Sequence, residues 1–201
     1  MQMKKNIYTH IVTCLLIIST SCNKETEVTS TQVSQSSSGD LNQASVKHFV
    51  GEHFGGGVIF YLDQSGKHGL ITTAADFEEP SVWSWKDMLN GAKDTALGAG
   101  AVNTRRIFNT QGYPESEAYS YAALECLGLI QNGYQDWYLP SINELNKMYE
   151  NKTIVGGFLQ FSYWSSTESG ATKAWLKNFN SGLQLLQVKT AAYALRPVRK
   201  F

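Results

Sequence analysis

The chain has 201 residues, which is enough for one ordinary domain with extensions. Hydrophobic residues make up 42% of it and aromatic residues 12%, so a real core can be filled. Lys plus Arg and Asp plus Glu number 17 each, and the basic residues form no run. This balance excludes the positive field on which nucleic-acid-binding proteins depend, and we expect no nucleic-acid partner.

The N-terminus has the pattern of a secretory signal peptide. Lys4 and Lys5 precede an apolar stretch at 11–18 that is short for a membrane span. Small residues then lead into Cys22, as in the lipobox of bacterial lipoproteins, where the cysteine is acylated and becomes the first mature residue. We predict a signal peptide at 1–21 and lipidation of Cys22. The alternative is a plain secretory signal with an incidental cysteine.

The segment 22–46 is rich in Ser, Thr, Gln, Asn and Glu and has almost no apolar residues. Such a composition buries too little surface to offset its ordering entropy, so we predict a disordered tether. No Asp follows Cys22, which favours the outer membrane, and the run Lys24–Glu27 resembles the acidic signals of surface-exposed lipoproteins. We therefore expect a domain anchored in outer-membrane lipid and exposed at the cell surface.

The folded domain is expected at 47–201, and its pattern predicts strands at both ends. Two apolar runs, 58–62 and 68–72, flank a turn and predict a hairpin. Residues 78–112 read as a long loop with at most short helices, and loops of that length are usually functional. Helical spacing at 116–130 predicts a first helix.

A second helix is predicted from Ser141, because Ser141 and Glu144 fit a capping box. Four strands should follow, at 161–165, 174–179, 183–189 and 193–199. The fold class is therefore α+β, with two helices packed on one twisted antiparallel sheet. Pairing of the first and last strands would close the domain.

Several motifs of this domain occur together and in order. They are Gly56–Tyr61, His68–Leu70, Gly133–Ser141 with Glu144 and Leu145, Tyr163–Glu168, and Arg196–Arg199 with Phe201. In these residues the chain resembles the Lcl C-terminal-domain family, over about 55–201. The resemblance implies a fold related to C-type-lectin-like and formylglycine-generating-enzyme-like domains. For the founding adhesin of the family it implies binding of sulfated polysaccharide.

The chain departs from these precedents in two respects. It has no Gly-X-Y repeat, so the collagen-like trimerisation of the founding adhesin does not carry over. The segments Glu79–Ser81 and Gln135–Trp137 are not the calcium and sugar motifs of calcium-dependent lectins. The chemistry of formylglycine-generating enzymes needs active-site cysteines, and Cys126 stands alone in the domain.

The candidate ligand-binding residues fall into two groups. Trp83, Trp85 and Lys86 lie in the long loop, where aromatic and basic side chains without an obvious core role favour a ligand site. Trp137 and Trp164 are further candidates for stacking on a sugar, although core packing is the stronger alternative.

Arg196 suits an anionic ligand, with an internal ion pair to Asp136, Glu144 or Glu168 as the alternative. Ser141 and Glu144 are expected to cap a helix. Asp136 is expected to hold the preceding turn, so all three have structural roles.

The sequence contains no recognisable catalytic or metal-binding constellation. The histidines lack partners at metal-ligand spacing, and Cys126 is expected to be buried and inert in a helix. We expect no metal, no cofactor and no enzymatic activity. The favoured function is a surface-anchored module that binds glycan or another envelope ligand. The alternatives are an accessory lipoprotein that binds a protein partner and, more remotely, a hydrolase.

Overall fold

The computed structural model describes residues 47–77, 79–116, 119–159 and 162–201. The predicted signal peptide, Cys22 and the tether lie outside the described residues. The helices are α1 (Gly100–Gln111), α2 (Ala122–Gly128), α3 (Ile142–Glu150) and α4 (Lys152–Val155), and the strands are β1 (His53–Phe54), β2 (Gly57–Leu62), β3 (Gly69–Thr72), β4 (Ser81–Val82), β5 (Ser162–Glu168), β6 (Lys173–Asn178), β7 (Gln184–Val188), β8 (Ala192–Tyr193) and β9 (Val198–Lys200). No helix among them is long and apolar enough to cross a bilayer.

The predicted N-terminal hairpin is confirmed as β2 and β3. Its turn forms because the carboxylate of Asp63 accepts hydrogen bonds from the backbone N–H groups of Ser65 and Gly66, at 2.9 and 3.1 Å. The sheet has the order β1-β2-β3-β9, so the last strand of the chain pairs with the first hairpin through β3. The two ends of the domain are thereby joined, although the last strand pairs with β3 and not, as predicted, with the first predicted strand, β2.

The single antiparallel sheet of the prediction is wrong in detail. The described strands form three antiparallel sheets, because β4 pairs only with β8 and the C-terminal strands make a separate sheet in the order β5-β6-β7. The fold class α+β is confirmed, with four helices in the described residues. Buried side chains between these elements make up three packed clusters.

The helix prediction is right for α3, in part right for α2 and wrong for α1. At α3 the capping box is present, with Ser141 Oγ accepting from the backbone N–H of Glu144 and the Glu144 carboxylate accepting from that of Ser141. Helix α2 is shorter than predicted and begins after Tyr121. Helix α1, the longest of the four, lies where the sequence predicted a loop.

The hydrophobic pattern of the sequence does not indicate helix α1, because the side that the helix buries is largely polar. Its buried positions are Gly100, Asn103, Thr104, Ile107 and Gln111, which follow helical spacing but include only one large apolar side chain. Each buried polar side chain makes a hydrogen bond to a neighbouring segment, for example Asn103 Nδ2 to the carbonyl oxygen of Asp94 at 2.6 Å. A hydrophobic pattern cannot reveal such a helix, since the tertiary hydrogen bonds are what permit its burial.

Candidate functional site

In the long segment before α1, Trp83 is packed in the core. This corrects the expectation that Trp83 faces a ligand. The indole of Trp83 is fully buried and donates a 2.7 Å hydrogen bond to the carbonyl oxygen of Ser165. The ammonium group of Lys189 lies 4.4 Å from the centre of its ring. With no solvent-exposed surface, Trp83 cannot contact a ligand.

Trp85 and Lys86 are more exposed than Trp83 but already contact each other. The Lys86 ammonium lies 3.8 Å from the centre of the Trp85 ring, a cation–π contact that covers one face of the indole. The sequence prediction placed these two residues beside Trp83 in one ligand surface. The structure separates them from it, because Trp83 points into the core.

Glu168, the last residue of the Tyr163–Glu168 motif, holds the middle of this segment. Its carboxylate accepts hydrogen bonds from the backbone N–H groups of Asn90 and Gly91, at 2.9 and 2.6 Å, and pairs with Lys189 Nζ at 2.9 Å. Burial by itself raises the pKa of Glu168, but the hydrogen bond from the Asn90 backbone and the Lys189 ammonium outweigh it and lower the pKa. The carboxylate is therefore a charged anchor inside the protein.

Glu144 and Ser141 hold the end of the same segment in addition to capping α3. Glu144 Oε1 accepts from the backbone N–H of Gly98 at 2.8 Å, and Ser141 Oγ donates to the carbonyl oxygen of Ala96 at 2.8 Å. The hydroxyl of Tyr138 also donates to Glu144, at 3.1 Å. Burial raises the pKa of Glu144, and these donors oppose that shift. The structural roles expected for Ser141 and Glu144 are present, and the same side chains also fasten the loop.

The two motif tryptophans are core residues in the structure. Trp164 is fully buried and its indole donates to the carbonyl oxygen of Ser81 at 3.0 Å. Trp137 packs with Ile59 and Ile71 and donates to the carbonyl oxygen of Tyr134 at 3.2 Å. The core alternative therefore holds for both, and neither presents a ring face to solvent.

Arg196 is also buried, but its ion-pair partner is not one that the sequence predicted. Its Nη1 lies 2.8 Å from Asp76 Oδ1, and the guanidinium donates further bonds to the carbonyl oxygens of Gly156 and Gly157. The ring of Phe158 lies against it at 4.3 Å. Asp76 escaped prediction because it is 120 residues away in the chain and belongs to no motif.

Asp136 is exposed and is held by Arg199, which corrects its expected role in the preceding turn. Arg199 Nε and Nη2 donate to the two carboxylate oxygens of Asp136 at 2.7 and 3.0 Å, a bidentate arrangement. The Asp136 side chain keeps 55% of its surface exposed. Each oxygen therefore retains accepting capacity towards solvent while its position is set by the arginine.

An open groove with a volume of about 450 Å³ lies beside Asp136. Helices α1 and α2 and the segment 135–138 line it. Tyr113, which is 76% exposed, packs edge to face against Phe108 with their ring centres 5.1 Å apart. Leu124 and Leu127 supply the aliphatic part of the lining. The groove has the size of a small-molecule site and a largely apolar lining.

Polar groups of three kinds also line this groove: the guanidinium of Arg105, the amide of Gln135 and the carboxylate of Asp136. Arg105 makes no ion pair with any described residue. The groove therefore combines an exposed aromatic ring with a donor, a carboxylate acceptor and an amide that can act as either. It is the best candidate functional site among the described residues.

The candidate groove and the loop residues predicted to bind a ligand lie in different parts of the segment 78–112. Arg105 and Phe108 belong to the region 78–112 that was expected to be functional, whereas Tyr113 and Gln135 were not singled out. An arginine and an aromatic ring three residues apart could have been noticed only if α1 had been recognised. Of the residues singled out from the sequence, the structural candidate Asp136 and the ligand candidate Trp137 line the groove.

The remaining sequence expectations concern metals and the lone cysteine. The described residues contain no group of three or more His, Cys, Asp or Glu side chains arranged to hold a metal ion. Cys126 is buried in α2, as expected. Burial raises the pKa of its thiol well above the usual value, so it is a poor nucleophile.

Comparison with known proteins identifies the family of the chain and a structural likeness to solved proteins. The model of the Lcl C-terminal domain matches residues 72–199, well over half of the chain. A crystal structure of a fimbrial protein from Bacteroides ovatus is similar with a TM-score of 0.44 and 15% sequence identity, over 65% of this chain and 35% of that chain. The chain thus spans about a third of the length of the fimbrial protein. No curated protein is significantly similar in sequence.

Proposed function

The chain belongs to the Lcl C-terminal domain family, and from this premise we propose that it is a non-catalytic module that binds glycan in the groove between α1 and α2. The observation that carries the proposal is that the exposed ring of Tyr113 and the carboxylate of Asp136 line the same groove. This groove combines an exposed aromatic ring, a carboxylate and an arginine that has no ion-pair partner among the described residues.

The chemistry of a sugar ring fits this combination. A pyranose has an apolar face of C–H groups that packs on an aromatic ring, and its edge carries hydroxyl groups that need both donors and acceptors. Tyr113 supplies the ring, and Asp136 accepts from hydroxyl groups while Arg105 donates to them. Because Arg199 already orients Asp136, little ordering entropy is lost at this carboxylate on binding.

The proposal extends to the setting of the module. We take the fold to be C-type-lectin-like, as the family resemblance implies, and the domain to be carried on a lipid anchor at Cys22 in the outer membrane. The lipobox-like segment supports the anchor. In that setting the module would capture a glycan at the cell surface without altering it.

A glycan array tests the site directly. Tyr113→Ala should weaken binding about ten-fold, the equivalent of about 1.4 kcal/mol, because an aromatic contact is lost. Asp136→Asn should weaken it further by replacing an acceptor with a donor. Tyr119→Ala removes another exposed tyrosine that does not line the groove, and it should leave binding unchanged. Each variant's thermal melting should be compared with that of the parent chain.

Three outcomes would contradict this proposal. Equal loss of binding in the Tyr113 and Tyr119 variants would show that the groove is not the site. An empty array together with stoichiometric recovery of an envelope protein would favour the accessory lipoprotein. Shortening of a bound glycan during incubation would indicate a hydrolase.

A further inference from the structure

Strand β7 is an uncovered sheet edge, unlike the other long edges of the fold. The outer edge of β5 is covered by backbone bonds to Ala194 and Pro140, and that of β9 by a reciprocal pair with Tyr138. Strand β7 pairs only with β6, in five consecutive residue pairs without a bulge. Among the described residues, nothing pairs with its other side.

The sequence of this edge lacks the usual protections against pairing. Leu183–Val188 contains no charge and no proline. Leu183, Leu185, Leu186 and Val188 are exposed, by 58, 36, 39 and 45%. An exposed, regular and uncharged edge strand is a template for a further strand.

The alternation of hydrogen bonds along β7 shows which of its backbone groups have no partner in β6. Asn178 donates to the carbonyl oxygen of Leu183, and Lys189 donates to that of Thr172. Because bonded pairs alternate along an antiparallel ladder, Leu185 and Gln187 direct their N–H and C=O groups to β6. Gln184 and Leu186 therefore direct theirs to the open edge.

The next outward-facing residue is already engaged. The carbonyl oxygen of Val188 accepts from the backbone N–H of Ala191 at 3.0 Å. Within the described part of the chain, the fully free groups are thus the N–H and C=O of Gln184 and Leu186, two residues apart. A partner strand needs the same pattern, running in the opposite direction, to satisfy all four.

We propose that the occupant of this edge is a second copy of the chain, with β7 pairing antiparallel to itself about a two-fold axis at Leu185. In this register the backbone N–H and C=O of Gln184 in one copy bond to the C=O and N–H of Leu186 in the other copy. The two-fold axis repeats this pair with the copies interchanged. Every fully free group of one copy meets a fully free group of the other. An axis at Leu186 would instead require the carbonyl oxygen of Val188.

The absence of charge on the strand permits self-pairing, and the small area that it buries limits the strength of the pairing. An uncharged strand meets its own copy without like-charge repulsion. The two copies of β6, which carry Lys173 and Lys177, would lie three strand spacings apart, about 14 Å. A pair of six-residue strands is only about 20 Å long, so it buries less than the roughly 1,200 Å² of a stable dimer. The pairing is therefore weak and depends on local concentration, and it does not require the proposed glycan site.

Cysteine cross-linking of the full chain tests the register. Facing residues at the axis form a non-hydrogen-bonded pair with Cα atoms about 4.5 Å apart, within the range of a disulfide. With copper phenanthroline as oxidant, Leu185→Cys should give at least ten-fold more disulfide-linked dimer than the parent chain. The parent sets the background from its own cysteines, of which Cys126 is buried.

Two flanking variants are matched controls. Leu183→Cys and Gln187→Cys each place the two copies' thiols about 14 Å apart along the strands, too far for a disulfide. Each alone should stay at background, whereas an equimolar mixture should cross-link, because position 183 faces position 187 of the other copy. Equal dimer from all single variants, or none from Leu185→Cys, would overturn the proposal, as would a cross-link to a different protein only.

Discussion

Replacing Glu168 by glutamine should destabilise the protein strongly. The substitution keeps the shape of the side chain but removes the negative charge that faces Lys189. Both side chains of this pair are fully buried, and their N–O distance is 2.9 Å. The amino group of Lys189 would then be left inside the protein without its partner, where burial already lowers its pKa.

The magnitude follows from what the carboxylate does. Removing one member of a buried ion pair costs about 3–5 kcal/mol, because an uncompensated charge is left behind. Glu168 also accepts from the backbone N–H groups of Asn90 and Gly91, and a glutamine can serve only part of this set through its single carbonyl oxygen. We therefore expect a loss at the upper end of that range, with the segment around Asn90 the first to loosen.

Urea denaturation measures this loss, and Glu150→Gln is the matched control. Glu150 pairs with Lys147 at 2.8 Å, but both side chains are well exposed, so its loss should cost about 0–1 kcal/mol. The double variant Glu168→Gln with Lys189→Met removes the stranded charge and should recover part of the stability. A Glu168→Gln variant as stable as Glu150→Gln would refute the claim that this buried pair anchors the loop.

Three further predictions concern the same framework. The pKa of Glu168 is lower in the folded protein than its usual value of 4.5, so its carboxylate stabilises the fold above pH 4.5 and loses this effect as pH falls through the folded pKa. The difference in unfolding free energy between the parent and Glu168→Gln should therefore shrink in acid. A difference that stays constant with pH would contradict this. Ser141→Ala removes the cap of α3 and the partner of the Ala96 carbonyl oxygen, and should cost about 1–2 kcal/mol in urea denaturation. Gly57→Ala would overlap the carbonyl oxygen of Thr72 and should lower the melting temperature by an amount equivalent to about 1–3 kcal/mol, whereas Gly128→Ala meets open space and should be neutral.

Local patterns in the sequence predicted the elements whose stability depends on neighbours in the chain. The capping box at Ser141 is satisfied within four residues, and the hairpin of β2 and β3 is closed by the turn at Asp63. The helical position and burial of Cys126 followed from the same kind of reasoning. In each case the relevant contacts span short distances along the chain, so composition and spacing are sufficient evidence.

Helix α1 shows the opposite case. Its buried positions are largely polar, and they are stabilised by partners such as Asp94 and Leu139 that only the folded chain brings near. Because this helix was not predicted, the ligand site was predicted at other residues. Without α1, Arg105 and Phe108 looked like loop residues, and the tryptophan at position 83 looked exposed.

The sequence by itself determined the family, the α+β class, the cap of α3 and the burial of the lone cysteine, since these depend on local pattern and on recognisable motifs. Only the tertiary structure decided which charges pair and which aromatic rings reach solvent. Asp76 pairs with Arg196, which is 120 residues away in the chain, and Asp136 pairs with Arg199, which is 63 residues away. The physical reason is that a buried charge or a buried polar helix is stable only with a specific distant partner, and no local pattern identifies that partner.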